Sequence, residues 1–245
     1  PERPRAMICP PPPRQGQAGQ ARSLARSLTR RRAAVAFCGV CCLGPLDGLE
    51  RGCHTTGMGS LNRVVMHASR RRMIRALRPR RLDVAEVSGK WGKRFNFKSY
   101  EQFRYPAHDV CAGPYRDMES GEIRQFDLIL ANQVWEHLDR PYAATQNVYQ
   151  MLRKGGHFWV AVPFLLPLHA APQDNSRWSA RGLKNLLIEC GFDEDAIHAE
   201  QWGNLNAAKR NLEKPWPPEY HEDTDDLKND PEMPICAWAL AQRVT

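Results

Sequence analysis

From residue 66 onward the apolar positions alternate between two periods, one near 3.6 residues and one made of short continuous runs. Met66 to Arg78 is spaced as a short basic amphipathic helix. Leu82 to Val87 is a buried-strand run closed by the turn signal Ser88-Gly89. Tyr100 to Phe103 and His108 to Cys111 read as a second and a third strand, and Phe126 to Ala131 as a fourth, apolar enough to be buried on both faces. A helix is expected from about Asn132. It is interrupted near Asp139-Arg140-Pro141, resumes through Ala143 to Leu152, and stops at Lys154-Gly155-Gly156, a cationic last turn followed by glycine. His157 to Pro163 is a fifth strand. Ser179 to Cys190 is an amphipathic helix with Ser179 as N-cap, Leu183, Leu186, Leu187 and Cys190 on one face, and Gly191 as its stop. Two last strands, Ala196 to Trp202 and Ile235 to Arg243, flank a polar, Pro-rich and acidic stretch with no helical pattern, so they read as a hairpin-like pair.

Strands alternating with helices at this spacing predict an α/β, Rossmann-like domain. Its sheet has seven strands, mostly parallel, with helices on both faces and the last strand antiparallel. The domain is expected over residues 58–245. Residues 1–57 lack either period and hold a proline run, Pro10 to Pro13, and an arginine block, Arg30 to Arg32. Three readings of that leader stay open: an organelle transit peptide, a basic tail for nucleic acid or an anionic surface, or an over-extended reading frame with the true start at Met58 or Met66.

Charge follows the same division. The net charge of +8 is unevenly placed: residues 1–81 hold 17 Arg, no Lys and three acids, a balance of +14, leaving −6 for residues 82–245. Nucleic acid is therefore not the expected partner of the folded part, which shows no basic patch in its sequence. Cys111, Cys190 and Cys236 are widely spaced on apolar segments, which suits buried thiols in a reducing, cytoplasmic setting. Cys38-Gly-Val-Cys41 lacks a second ligand pair at convincing spacing for zinc. No stretch reaches the roughly 18–20 apolar residues of a membrane span.

Three motifs in order carry a resemblance. Phe126-Asp-Leu-Ile-Leu-Ala-Asn-Gln-Val-Trp-Glu-His-Leu-Asp-Arg-Pro141, then Val148-Tyr-Gln-Met-Leu-Arg-Lys-Gly-Gly156, then Phe158-Trp-Val-Ala-Val-Pro163, together resemble class I S-adenosyl-L-methionine (SAM) dependent methyltransferases. Within that class they are similar to the small-molecule "methyltransferase type 11" group. The resemblance covers about residues 80–245. It implies SAM as cofactor and methyl transfer to a small-molecule acceptor, at a hydroxyl oxygen before a nitrogen. By resemblance Glu86, Ser88 and Gly89 meet the methionine part of SAM, Asp109 lies near the adenosine, and Asn132 and Gln133 face the cofactor and the substrate mouth. The chain departs from the family where Ser88 and Lys90 stand at two glycine positions, and where no clear acid ends the second strand, Glu101 being the nearest candidate.

Methyl transfer is an in-line displacement, so the protein has to position the acceptor and remove its proton. His137 and His169 are the candidate bases. Arg177 is a candidate clamp for an anionic acceptor and Trp178 a candidate stacking surface. Gln133, Glu136 and His137 at i, i+3 and i+4 would share a helical face. Related O-methyltransferases hold a divalent metal on a similar E-x-x-E-H pattern. With an amide in place of the first acid, no metal is expected here, Glu136 and His137 being the candidates if there is one. Two rivals stay open: a degenerate, non-catalytic binding protein with this fold, and an RNA-modifying enzyme that grips through the basic leader. Oligomeric state is not legible in the sequence.

Overall fold

The computed structural model describes residues 59–170 and 172–245, so the expected leader, 1–57, lies outside the described residues. The domain opens with α1 (Leu61–Ala76), whose apolar side packs Leu61, Val65, Met66, Met73 and Ile74 against the sheet. The strands are β1 (Asp83–Val87), β2 (Ser99–Phe103), β3 (Phe126–Asn132), β4 (Leu152–Pro163), β5 (Ile197–Trp202) and β6 (Cys236–Gln242). Between them lie α2 (Pro141–Met151), α3 (Ala180–Glu189) and α4 (Leu205–Leu212).

The six strands are ordered β2-β1-β3-β4-β6-β5. The first four are mutually parallel, and β6 runs antiparallel to both β4 and β5. Side chains alternate across β3: Leu128 and Leu130 join the core under α1, whereas Ile129 and Ala131 join the core under α2 and α3. The sheet is thus covered on both faces, as the pattern predicts. Ser179 caps α3 by accepting the Gly182 amide hydrogen at 3.2 Å. Cys111, Cys190 and Cys236 are buried free thiols.

Three expectations need correction. Among the described residues the sheet has six strands, because His108 to Cys111 forms a turn and not the expected third strand. Asp109 uses its side chain to accept the Cys111 amide hydrogen at 2.8 Å, and its carbonyl accepts from Ala112 at 3.0 Å, so local bonds replace a ladder. Second, Lys154-Gly155-Gly156 does not end a helix. α2 stops at Met151, and the tract lies inside β4, where the register shifts: Phe126 faces Leu152, but Leu128 faces His157. Arg243 explains why. Its guanidinium donates to the carbonyls of Tyr149 and Leu152 at 3.1 and 2.7 Å, closing the helix end, and its backbone pairs with Gly155 and Gly156. Third, the stretch between the last two strands contains α4. Asn204 caps it by accepting the Ala207 amide hydrogen at 2.7 Å, while its amide donates to the carbonyls of Asp226 and Lys228.

The link between β1 and β2 shapes the carboxyl end of β1. It contains only a short 3-10 turn, Trp91–Arg94, and it wraps the fully buried carboxylate of Glu86. That carboxylate accepts the amide hydrogens of Trp91 at 3.0 Å and Gly92 at 2.7 Å, and the Tyr100 hydroxyl hydrogen. The wrapping is close. A Cβ on Gly89 would sit 2.1 Å from Glu86 Oε1, and one on Gly92 would sit 2.3 Å from the Tyr100 ring.

Replacing Glu86 by alanine strips these donors of their acceptor. At about 1–3 kcal/mol for each buried unsatisfied group, Glu86→Ala should destabilise the domain by about 3 kcal/mol, read by urea denaturation. A pH effect is also expected on β4, where burial lowers the pKa of His157 to about 4. The unfolded chain takes up this proton near its ordinary value of 6.5, so the stabilisation is complete above that pH and is lost as the pH falls from 6.5 to about 4. Melting temperatures of His157→Gln should fall less than wild type across that interval.

Candidate functional site

In an open parallel sheet, ligands sit beyond the carboxyl ends of the strands where the chain reverses its order of addition. Here β2 is added on one side of β1 and β3 on the other, so that point lies between β1 and β3. A cavity of about 480 Å³ opens there, within the range of about 300–1,000 Å³ for small-molecule sites. Both strands leave it through strained backbone. Ser88, after β1, has φ 55°, and Gln133, after β3, has φ 54°, both in the left-handed region that side chains disfavour. The Ser88 amide is held by the Phe103 carbonyl at 2.7 Å and that of Gln133 by the Ala161 carbonyl at 2.8 Å.

Of the expected cofactor residues, Ser88, Gly89, Asp109, Asn132 and Gln133 all line the cavity. Glu86 does not: its carboxylate lies beneath the loop, bonded to Trp91, Gly92 and Tyr100. Its effect on the cavity runs through the backbone of residues 88–92. Asn132 is almost wholly buried. Its side-chain oxygen accepts from Arg70 at 3.2 Å and Trp159 at 3.0 Å, which fixes the amide orientation, and its Nδ2 has no partner. Glu101 is placed elsewhere, paired with Arg124 near the opposite end of the sheet. The wall where an acid at the end of β2 is expected is supplied by Tyr105, His108 and Asp109.

After Gln133 the chain forms a 3-10 turn, Trp135–His137, and not the expected α-helix. Gln133 therefore shares no helical face with Glu136 and His137, and its amide reaches Met66 Sδ at 3.6 Å instead. The turn nonetheless brings three groups together. Glu136, His137 and His169 each offer a ligand atom within 4.8 Å of the others, and the two imidazoles meet edge to face at 5.2 Å. His137 directs Nδ1 at the Gln173 carbonyl. His169 directs Nδ1 at the Pro167 carbonyl and at Asp174 Oδ2, 3.1 and 3.2 Å away. Oxygen acceptors at both Nδ1 atoms suit a proton on that nitrogen, and His137 Nε2 faces Glu136 Oε1 at 3.8 Å. Glu136 is fully buried, neither carboxylate oxygen has a hydrogen-bond partner, and burial raises its pKa to about 8.

Arg177 and Trp178 are not among the residues lining the cavity. The Arg177 guanidinium forks onto Asp174, whose carboxylate also accepts the His169 amide hydrogen at 2.8 Å, and Trp178 packs against the core under α3. Arg177 thus fastens the loop that carries His169. Several cavity residues carry no signal in the sequence: Trp91, Tyr105, Arg140 and Gln173. Arg70 is legible there only as part of a basic helix. Its spacing on α1, four residues after Met66, is the one available hint that it faces the strand ends.

Residues 82–160 match the family model described as a methyltransferase domain. No functionally curated protein matches the chain. Among solved structures, an SAM-dependent methyltransferase from Mesorhizobium loti is 16% identical, with 70% of this chain and 96% of that one covered and a TM-score of 0.44. An SAM-dependent methyltransferase from Archaeoglobus fulgidus is 13% identical, with 74% and 94% covered and a TM-score of 0.44. Phosphoethanolamine N-methyltransferase 2 from Haemonchus contortus, in complex with SAM, is 9% identical, with 66% and 49% covered and a TM-score of 0.40. At these identities and scores the structural likenesses carry no function across, and the family match over β1, β3 and the cavity between them is what identifies the segment. Residues 82–160, the segment that carries β1, β3 and most of the cavity between them, are thus similar to a methyltransferase domain.

Proposed function

We propose that this protein transfers the methyl group of SAM to a hydroxyl oxygen of a small-molecule acceptor. The observation that carries the reading is the cavity between the ends of β1 and β3, with strained Ser88 and Gln133 at its floor and His137 on its wall. SAM supplies the methyl on an activated sulfonium, which leaves as a neutral thioether. The residues present suit it: the close-wrapped backbone of 88–92 lies against one side, Asp109 on another, and the unpartnered Asn132 amide is available to an oxygen of the ligand. His137 Nε2 accepts the proton of the acceptor hydroxyl as its oxygen attacks, while the Nδ1–H bond to Gln173 holds the ring in place. His169 is not among the residues lining the cavity; fixed by Asp174, it packs against the His137 ring and against Trp216, 5.1 Å away, and so acts by holding His137 in place. No helix among the described residues is long and apolar enough to cross a membrane. Buried free thiols and an intracellular methyl donor favour a cytoplasmic enzyme.

A second reading uses the same residues. Glu136 with two unpartnered oxygens, and two imidazoles whose Nδ1 atoms are already bound to oxygen acceptors, form a donor set suited to a divalent ion such as Zn²⁺ or Mn²⁺. Such an ion would lower the pKa of the acceptor hydroxyl.

The test is calorimetric titration of SAM and S-adenosylhomocysteine, followed by an acceptor screen. Micromolar binding of either is expected. Absence of binding by the folded protein would sink the reading in favour of a non-catalytic member of the fold. With an acceptor in hand, His137→Ala should lower kcat by about 10²–10⁴-fold with little change in cofactor affinity. Activity that survives exhaustive chelation supports His137 acting alone, whereas activity lost to a chelator and restored by Zn²⁺ or Mn²⁺ supports the metal reading.

A further inference from the structure

Arg70, on α1, is the least explained charge in the described domain. Arg70 is 3% exposed, and among the described residues no carboxylate lies within ion-pair distance of it. A guanidinium offers five N–H donors. Here the hydrogen bond to Asn132 Oδ1 is made by Nη1, and Nε is buried without a partner. Glu86 is the carboxylate that acts on Arg70 most strongly, but its oxygens are taken up by Trp91, Gly92 and Tyr100. Beside Arg70, the Asn132 amide is a second buried donor with no acceptor. Two unpaired buried donors, one of them a full cation, are costly side by side unless an anion meets them.

The surroundings strengthen that demand. The guanidinium carbons of Arg63, Arg70 and Arg94 lie 5.8, 5.7 and 5.4 Å from the centroid of the Trp91 ring, which itself lines the cavity. His67 packs on the same ring at 4.4 Å, and burial together with the neighbouring arginines pushes its pKa down to about 3, so it stays neutral. The ground around Trp91, at the cavity's edge, is therefore strongly positive and short of acceptors. A basic patch on the folded part, not evident in the sequence, is present here.

We propose that Asn132, which lines the cavity, and Arg70, bonded to it just behind the lining and beside Trp91, form an anion subsite at the cavity's edge that takes the carboxylate of the methyl donor's amino-acid part. This rests on the reading of SAM as cofactor. The donor's carboxylate is the better match because the subsite adjoins the Glu86–Gly89 turn, where the methionine part would lie, and because Arg70 is too deeply buried to meet a ligand confined to the mouth. The subsite also accounts for Ser88 and Lys90 in the loop: a guanidinium and a carboxamide supply what extra loop contacts would otherwise give.

The experiment is calorimetry on the full chain with two ligands, S-adenosylhomocysteine and its decarboxylated analogue, S-adenosyl-3-thiopropylamine, which keeps the amino group. Wild type should bind the analogue at least tenfold more weakly; equal affinity overturns the proposal without any variant. Arg70→Gln should weaken S-adenosylhomocysteine at least tenfold while leaving the analogue within about twofold. An equal loss for both ligands would show Arg70 to be merely structural and overturn the assignment. Inorganic phosphate titrated into the S-adenosylhomocysteine complex tests the other source. If phosphate binds to wild type and not to Arg70→Gln, the anion belongs to the acceptor, and the donor assignment falls. Wild type that binds neither adenosyl ligand refutes the cofactor reading itself, an outcome distinct from all of these.

Discussion

A single buried carboxylate sets the geometry on which the rest of the domain depends. Glu86 is the fourth residue of β1, deep in the sheet, and it pulls the adjoining loop down onto itself through two amides and a tyrosine hydroxyl. That tension does three things at once. It ends β1 at a strained Ser88, it leaves room only for glycine at 89 and 92, and it presents Trp91 to both the cavity and α1. In many nucleotide-binding sheets a glycine-rich turn leads into a helix whose N-terminus faces the ligand. No α-helix follows β1 here. The carboxylate organises the backbone from below, and α1 steadies the loop by packing Arg63, His67 and Arg70 on the Trp91 ring.

Much of the architecture is legible in the sequence because burial writes itself into periodicity. β3 and β4 are apolar on both faces, and α3 carries an N-cap serine, a leucine stripe and a stop glycine, so all three can be read directly. Where sequence and structure part, the deciding partner is one that periodicity does not register. Lys154-Gly155-Gly156 has the composition of a helix end, but Arg243, about ninety residues later, takes over that end and draws the glycines into a strand. His108 to Cys111 has strand composition, and the Asp109 side chain bonds locally instead. α4 is hidden because its buried face is made of Ala207, Ala208 and Asn211, too small or too polar to register as an apolar stripe.

The candidate site divides along the same line. Residues directly after strands β1 and β3 can be placed from sequence because topology alone puts them at the cavity. The environment of each cannot. Nothing in the sequence says that Glu86 faces inward, that Arg177 is committed to Asp174, or that Gln133 turns out of helical register toward Met66. Charge misleads for a similar reason. A balance drawn at residue 81 separates α1 from the acidic remainder, yet α1, with its arginines, packs on the sheet as an integral layer, so positive charge reaches the strand ends.

The placement of β6 has a consequence for how the domain is made. It is the last strand in sequence, but it sits between β4 and β5 and bonds to both along its length. During synthesis β4 therefore emerges from the ribosome with one edge open, and β5 has no neighbour until residues 236–242 clear the exit tunnel. The first four strands can assemble as the chain lengthens, but closure must wait for that final segment. A nascent domain held at this stage exposes unpaired edges on both β4 and β5, the kind of surface that invites association with other chains or capture by a chaperone.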